Sequence, residues 1–289
     1  MKRLRDVVTK SIIVCYKEDV VDLHRHLSAS GLAPMTLRGT YSEQELKLPA
    51  TTRTFMNHRD AWRIAAETPG YTVICEADFV PCRDLATLPV FWPLDNPLAW
   101  GYLYQGSPRL LAIVEPGAHL RGHCAPLVGY IINQTIAGIL LQFYEYERAK
   151  HGLDSYSMFD AHLQWWAMGL GAEAYIPPRH YGEHGGLPNP EHAKHALLSR
   201  AGRHRADNLA GPLAFLPQYA KGSRVRYMRE RIKYRSMGWG RLLTGRWIVD
   251  TNVYSRDRTK TIRMLNVGFK RLLPRGLTSS RVPFDRALR

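Results

Sequence analysis

Two carboxylates one residue apart, Glu76 and Asp78, stand at the end of the apolar run Val73-Ile74-Cys75. Phe79, Val80 and the breaker Pro81 follow them. Along an extended chain residues i and i+2 point the same way, so the spacing predicts that both acids aim at one point at the carboxyl end of a strand. Open α/β sheets bind ligands at that edge. Two hard oxygen ligands on one side suit Mg2+ or Mn2+ that still holds substrate phosphate on its other side. The competing reading is a strand that ends in a solvated acidic turn.

Several elements must position this pair. Ser11–Tyr16 is a β-branched run that reads as the first strand, and Asp19 to Ser30 reads as a helix with Asp19 as N-cap and Gly31 as its stop. Met35–Leu37 is a second, short strand, followed by a polar loop from Arg38 to Thr54. Asn57 to Glu67 reads as a helix that buries Ala61, Trp62, Ile64 and Ala65; Pro69-Gly70 ends it, and Tyr71–Cys75 is the next strand. Strand–helix–strand–helix–strand calls for a parallel sheet with right-handed crossovers. Further strands are expected at Leu98–Tyr102, Leu110–Val114 and Ala174–Ile176, the last of them before Pro177-Pro178. Helices are expected at Asn133–Lys150 and at the Trp-rich Phe159–Met168.

Of the 40 Lys/Arg and 25 Asp/Glu, residues 221–289 hold 19 of the bases and only four of the acids, Glu230, Asp250, Asp257 and Asp285. Residues 1–220 are therefore neutral, and the whole net charge of +15 sits in the tail. A neutral globular body with a basic appendage suits contact with an anionic surface. Hydrophobic content of 45% and seven Trp exclude global disorder. The run Ser11–Tyr16 is too short for the core of a secretion signal, and Val128–Phe143 is interrupted by Asn133, Gln134 and Thr135 and falls short of a membrane span. Cys15, Cys75, Cys82 and Cys124 form no metal-ligand spacing, which fits a reducing, cytoplasmic setting.

Three segments together resemble glycosyltransferase family 25, the sugar transferases associated with lipopolysaccharide synthesis. Asn57-His58-Arg59-Asp60-Ala61-Trp62 is similar to that family's S-H-x-x-x-W segment, Val73 to Asp78 to its I-L-E-D-D strand, and Gly129-Tyr130-Ile131-Ile132 to its A-Y-L-I segment. The similarity spans roughly residues 10 to 185. Ala77 stands where the family has a central acid, and Tyr16-Lys17-Glu18 stands where it has N-L-x-x-R. The resemblance implies a GT-A-like single Rossmann-type α/β domain with a mostly parallel central sheet, taken over residues 1–210; the rise in Gly, Pro and Arg around Ala210 reads as the start of a basic, largely helical extension over 211–289. The resemblance also implies a nucleotide-sugar donor, UDP-linked by default, and an inverting transfer to a lipopolysaccharide or other cell-surface glycan.

Such a transfer needs the departing diphosphate neutralised and the acceptor hydroxyl deprotonated. Glu76 and Asp78 are assigned to the metal and the donor, with His184, in Gly182-Glu183-His184-Gly185-Gly186, as a third ligand and His180 in reserve. The glycines would let backbone approach phosphate. Asp160, opening the Trp-rich helix, takes the place of the family's base, with Asp154 as alternative; an ordinary first-turn acid is the competing reading for Asp160. Asn57 and His58, at an expected helix N-terminus, and Tyr16 complete the donor contacts. Arg38 and Arg53 could reach the donor or be solvated at the surface, and the Trp165-Trp166 pair could stack on a sugar or belong to the core.

The tail interleaves bases with aromatics at Arg226-Tyr227, Lys233-Tyr234, Trp239, Arg246-Trp247, Tyr254 and Phe269. This suits an anionic membrane surface and a peripheral location on its cytoplasmic side; nucleic acid is disfavoured because no recognised motif accompanies the charge. Two other functions compete: a metal-dependent phosphotransferase or nuclease acting on nucleic acid, and a non-catalytic binding protein of the same fold.

Overall fold

Period-two burial builds the centre of the molecule. In β1 (Val8–Cys15), Ile12 and Val14 enter one core while Ile13 and Cys15 enter another; in β3 (Tyr71–Glu76), Ile74 joins the first and Val73 and Cys75 the second. A strand buried on both faces needs helices or loops over each. The first face is covered by α2 (Ala50–Glu67), α3 (Gln134–His151) and α4 (Phe159–Gly169), through Phe55, Trp62, Leu140, Phe143 and Leu163. The second is covered by α1 (Val21–Ala29), through Leu23 and Leu27, and by the segment carrying Phe91 and Trp92. This computed structural model describes residues 1–106, 109–114, 119–124, 127–154, 157–187, 205–246 and 258–273.

The sheet has eight strands in the order β2 (Pro34–Arg38), β1, β3, β8 (Gly129–Asn133), β5 (Ala99–Tyr102), β9 (Glu173–Tyr175), β7 (His119–His123) and β6 (Arg109–Val114). Strand β1 pairs in parallel with both β2 and β3, as the strand–helix alternation requires, and β5 pairs in parallel with β9. Two strands are reversed: β8, between β3 and β5, and β7, between β9 and β6, each antiparallel to both of its neighbours. The α/β class and the mostly parallel central sheet are as the sequence predicts.

Three local expectations change. Helix α2 begins at Ala50, seven residues before Asn57. Its first turns carry three threonines of low helix propensity, Thr51, Thr52 and Thr54, yet Thr52, Phe55 and Met56 are buried and Thr52 Oγ1 donates to the Leu153 carbonyl at 3.0 Å. Tertiary contact overrides propensity there. Strand β3 stops at Glu76, and Ala77-Asp78 form a tight turn into β4 (Phe79–Pro81). The strand expected at Ala174–Ile176 forms one residue earlier as β9, and it is not the last: β10 (Gly182–His184) follows and pairs antiparallel with β4 in a small second sheet, Glu183 opposite Val80 and His184 opposite Phe79. Gly31, at φ +73°, closes α1 as expected.

The basic segment packs on the body through α5 (Arg224–Leu243) and α6 (Arg258–Leu272). Met264 and Val267 of α6 enter the first core. Arg271, only 1% exposed, donates to both Asp207 oxygens, at 3.0 and 3.3 Å, and to the Pro178 carbonyl at 2.9 Å. The Arg271 guanidinium holds the buried Asp207 well below the usual carboxylate range, against the desolvation that opposes it. Arg231 of α5 and Tyr219 both bond the buried Glu183 of β10. Trp247, Tyr254 and the last residues of the tail lie outside the described residues.

Candidate active site

The three family-like segments meet in one hydrogen-bond relay. Trp62 and His58 lie one turn apart on α2, Tyr130 lies on β8, and Glu76 ends β3. The Trp62 indole N–H donates to the Tyr130 hydroxyl at 2.7 Å. That hydroxyl lies 2.9 Å from His58 Nδ1, and His58 Nε2 lies 3.2 Å from Glu76 Oε1. A carboxylate only accepts, so the imidazole carries its hydrogen on Nε2, aimed at Glu76, and its Nδ1 accepts from the phenol, whose oxygen accepts from the indole. Glu76, on the same strand face as Ile74, is thus gripped from α2.

Asn57 and His58 correct the sequence expectation. Both are buried in the third turn of α2, away from any helix N-terminus, so neither offers backbone N–H groups to a phosphate. Asn57 instead donates through Nδ2 to the Cys15 carbonyl at the end of β1, 3.1 Å away. Gly39, just beyond β2, lies so close that a side chain there would collide with the Asn57 amide and the Tyr41 hydroxyl. Tyr16 follows β1 with its carbonyl bonded to Arg38 and its ring edge-on to Tyr41 at 5.1 Å. Arg53 faces inward, donating to the Leu46 and Leu48 carbonyls at 2.8 Å.

Asp78 is held differently. Because the strand ends at Glu76, the two acids do not share one strand face; Asp78 turns towards β10, where His184 Nε2 lies 3.2 Å from its Oδ2. The Gly185 amide donates to the Asp78 carbonyl at 2.7 Å, and any side chain at Gly186 would collide with the carboxylate. The glycines are therefore required by the close approach of Asp78 itself. Arg205 lies behind: Nη1 contacts His184 Nδ1 at 3.1 Å and the His184 carbonyl at 2.8 Å, and Nη2 donates to the Gly186 carbonyl at 2.8 Å. Nothing in the sequence singles out Arg205.

Guanidinium only donates, so His184 accepts at Nδ1 and donates from Nε2 to Asp78. In this arrangement His184 steadies Asp78; to ligate a cation at Nε2 it would have to reverse its tautomer and give up Arg205. Asp78 does fit a hard cation: its Oδ1 is buried without a hydrogen-bond partner. Burial pushes the Asp78 carboxyl up, His184 and Arg205 pull it back and the Glu76 charge adds to the rise, for a net upward shift. His180, the reserve ligand, is buried on Asp207 at 3.0 Å, accepts from the Gln105 amide at 3.1 Å, and is pushed down to about 4 by desolvation. It belongs to the docking of α6.

Asp160, in the first turn of α4, is pushed up to about 7 by burial, opposed by the Ala161 amide at 2.9 Å and reinforced by the charge on Glu76. The Glu76 charge thus acts on both Asp78 and Asp160. Asp154 is exposed in the turn after α3, and among the described residues no contact joins it to Glu76 or Asp78. Beyond β5 the Tyr104 ring lies 6.3 Å from His184, and the Tyr102, Tyr104 and Gln105 side chains hold buried polar atoms without partners. Trp166 stacks on Tyr146 at 4.4 Å beside the core, whereas Trp165 is 56% exposed against His123. An open groove of about 610 Å³ on α1, lined by Val20, Val21, His24 and Arg25 among others, contains none of these residues.

No family model matches the sequence, and no curated protein is similar to it. Among solved structures, the chain is similar to a glycosyltransferase involved in the glycosylation of the major capsid of PBCV-1, with a TM-score of 0.37 and 8% identity over 58% of this chain and 81% of that one.

Proposed function

We propose that the chain is a GT-A-like glycosyltransferase that moves a sugar from a nucleotide-sugar donor to a hydroxyl of a cell-surface glycan precursor. The observation that carries this reading is the electrostatic division between Asp78 and Asp160, both acted on by the Glu76 charge. Asp78 has an unpartnered buried oxygen backed by His184 and Arg205, while Asp160 titrates near neutrality. A carboxyl poised near 7 suits a general base at physiological pH, and a carboxylate backed by fixed positive charge suits the diphosphate side.

Asp160 takes the acceptor hydroxyl proton as the oxygen bonds the anomeric carbon; the bond from that carbon to the diphosphate breaks, and the nucleoside diphosphate leaves with the electron pair. Attack opposite the leaving group inverts the anomeric centre. Mn2+ or Mg2+, held by Asp78 with Glu76, would neutralise charge on the diphosphate. Arg205 supplies permanent positive charge behind that site. His58, through the Trp62–Tyr130 relay, keeps Glu76 in place. Tyr16 and its Tyr41 neighbour lie where the nucleoside would enter beyond β1. The UDP-linked donor and the lipopolysaccharide-type acceptor follow from the family resemblance.

Among the described residues no helix is long and apolar enough to cross a membrane. On α5 the exposed Val225, Met228 and Ile232 recur at helical spacing beside Arg226, Arg229 and Lys233. Apolar side chains edged by bases suit the surface of an anionic bilayer, which would present a lipid-linked acceptor at the cytoplasmic face.

A thermal-shift panel of nucleotide sugars with Mn2+ tests the reading. One donor at a hundred times its dissociation constant should stabilise the fold by about 2.7 kcal/mol. The shift should be lost in Asp78→Asn and kept in Asp160→Asn, which binds without turning over. Stabilisation by oligonucleotides, with no response to any nucleotide sugar, would reject the reading.

A further inference from the structure

A second group of metal-ligand side chains lies at the junction of α3 and α4. Glu147 and His151 are four residues apart on α3 and so share one helix face; His162 reaches them from α4. His162 Nδ1 is 3.3 Å from Glu147 Oε1, and His151 Nε2 is 3.9 Å from Glu147 Oε2. One donor atom from each of the three lies within 4.8 Å of the others, and among the described residues no other set of three does so. The expected trio Glu76, Asp78 and His184 is not such a set.

Ligands at about 2.0–2.2 Å around a tetrahedral ion stand roughly 3.3–3.5 Å apart, so the observed spacings need only a small contraction. The environment also asks for positive charge. The Glu147 side chain is 5% exposed; among the described residues no Lys or Arg forms an ion pair with it, the exposed Lys150 ammonium acting on it only at longer range, and its hydrogen-bond partners are His162 and the Ser157 hydroxyl, 3.4 Å away. A buried carboxylate without a permanent cation is costly. The histidine side chains are 39% and 44% exposed, which leaves an entry path and room for a solvent ligand.

We propose that Glu147, His151 and His162 bind one divalent transition-metal ion, of the two-histidine, one-carboxylate kind that suits Zn2+, and that this ion clamps the start of α4 to the end of α3. The site is independent of the reaction assigned to the sheet edge, and its ligands differ in kind: imidazoles select Zn2+ where carboxylates alone suit Mg2+. Asp160 lies two residues before His162 on α4, so the clamp also steadies the segment that carries it.

The test is a Zn2+ titration of the chelator-stripped full-length protein against a chromophoric competitor, with Co2+ as a spectroscopic substitute. The expected result is one equivalent bound, a tetrahedral Co2+ spectrum and a Zn2+-dependent rise in Tm. Affinity should fall at least about a hundredfold in His151→Gln and in His162→Gln, and stay unchanged in Asp78→Asn. Both histidines are exposed, so these variants should fold, and equal Tm values without metal will verify that. Unchanged affinity in both His variants, loss of binding in Asp78→Asn, or weak binding without a tetrahedral spectrum would each overturn the proposal.

Discussion

Two of the histidine–carboxylate clusters among the described residues are built from the same chemical groups and differ in whether an arginine backs the histidine. At the sheet edge, His184 faces Asp78 with Arg205 behind it; at the α3–α4 junction, His151 and His162 face Glu147, which pairs with no arginine among the described residues. The guanidinium fixes the His184 tautomer so that the ring donates to Asp78, and it supplies a permanent positive charge. That cluster is prepared for a substrate that brings negative charge. The helix cluster has a buried carboxylate and two imidazoles, the ligand set proposed above for a cation. A single buried arginine separates the two chemistries.

The largest effect should come from Asp78→Asn. Losing the charge at the sheet edge should lower turnover about a thousandfold, near 4 kcal/mol of transition-state stabilisation, while Zn2+ binding at the helices is unchanged. Steady-state kinetics and the Zn2+ titration on the same preparation measure both. Next, Arg205→Met should erase the distinction between the clusters. His184 regains a choice of tautomer, and Zn2+ stoichiometry should rise from one to two. The variant should also lose about 3 kcal/mol of stability in denaturant titration, because the His184 and Gly186 carbonyls are left without their donor. If stoichiometry stays at one, the arginine is not what separates the sites.

A smaller effect is expected for Tyr130→Phe. The Trp62 indole loses its acceptor and His58 its fixed tautomer, so kcat should fall about tenfold with KM nearly unchanged. A change confined to Tm would make the relay structural only. A separate, pH-dependent effect concerns Asp160, which forms no ion pair with an arginine among the described residues. Its carboxyl is raised from 3.8 to about 7 in the fold, so the folded state holds a proton that the unfolded state releases between those values. Asp160→Asn should therefore match the wild type in stability near pH 3.5 and exceed it increasingly up to about pH 7. Turnover of the wild type should rise with pH through the same upper value. A stability difference that shrinks as pH rises would place the wrong sign on this shift.

Much of the sheet was legible because β1 and β3 bury both faces and α1 and α2 alternate with them; period and order suffice for β2-β1-β3. The start of α2 was hidden because Thr51, Thr52 and Thr54 disfavour helices, and only packing of Phe55 and the bond to Leu153 shows why they form one. Period-two reasoning placed Glu76 correctly and failed at Asp78, where the chain has already turned. The three motif segments could be recognised one by one, but that Trp62, Tyr130, His58 and Glu76 form a single chain of hydrogen bonds depends on β8 lying antiparallel beside β3. Arg205 and Arg271 read as unremarkable bases, since nothing local tells a surface arginine from one buried on Asp207. The Glu147 cluster carried half a signal: the i, i+4 spacing of Glu147 and His151 is visible, whereas His162 joins it only through helix packing.

The central claim is that the acids at the sheet edge serve sugar transfer, and product release tests it most directly. Nucleoside diphosphate liberated from a panel of nucleotide sugars, in the presence of glycan acceptors and Mn2+, should appear for one nucleotide class with the wild-type protein and fall to background with Asp78→Asn. Release from none of the donors, or equal release by the two proteins, would contradict the account.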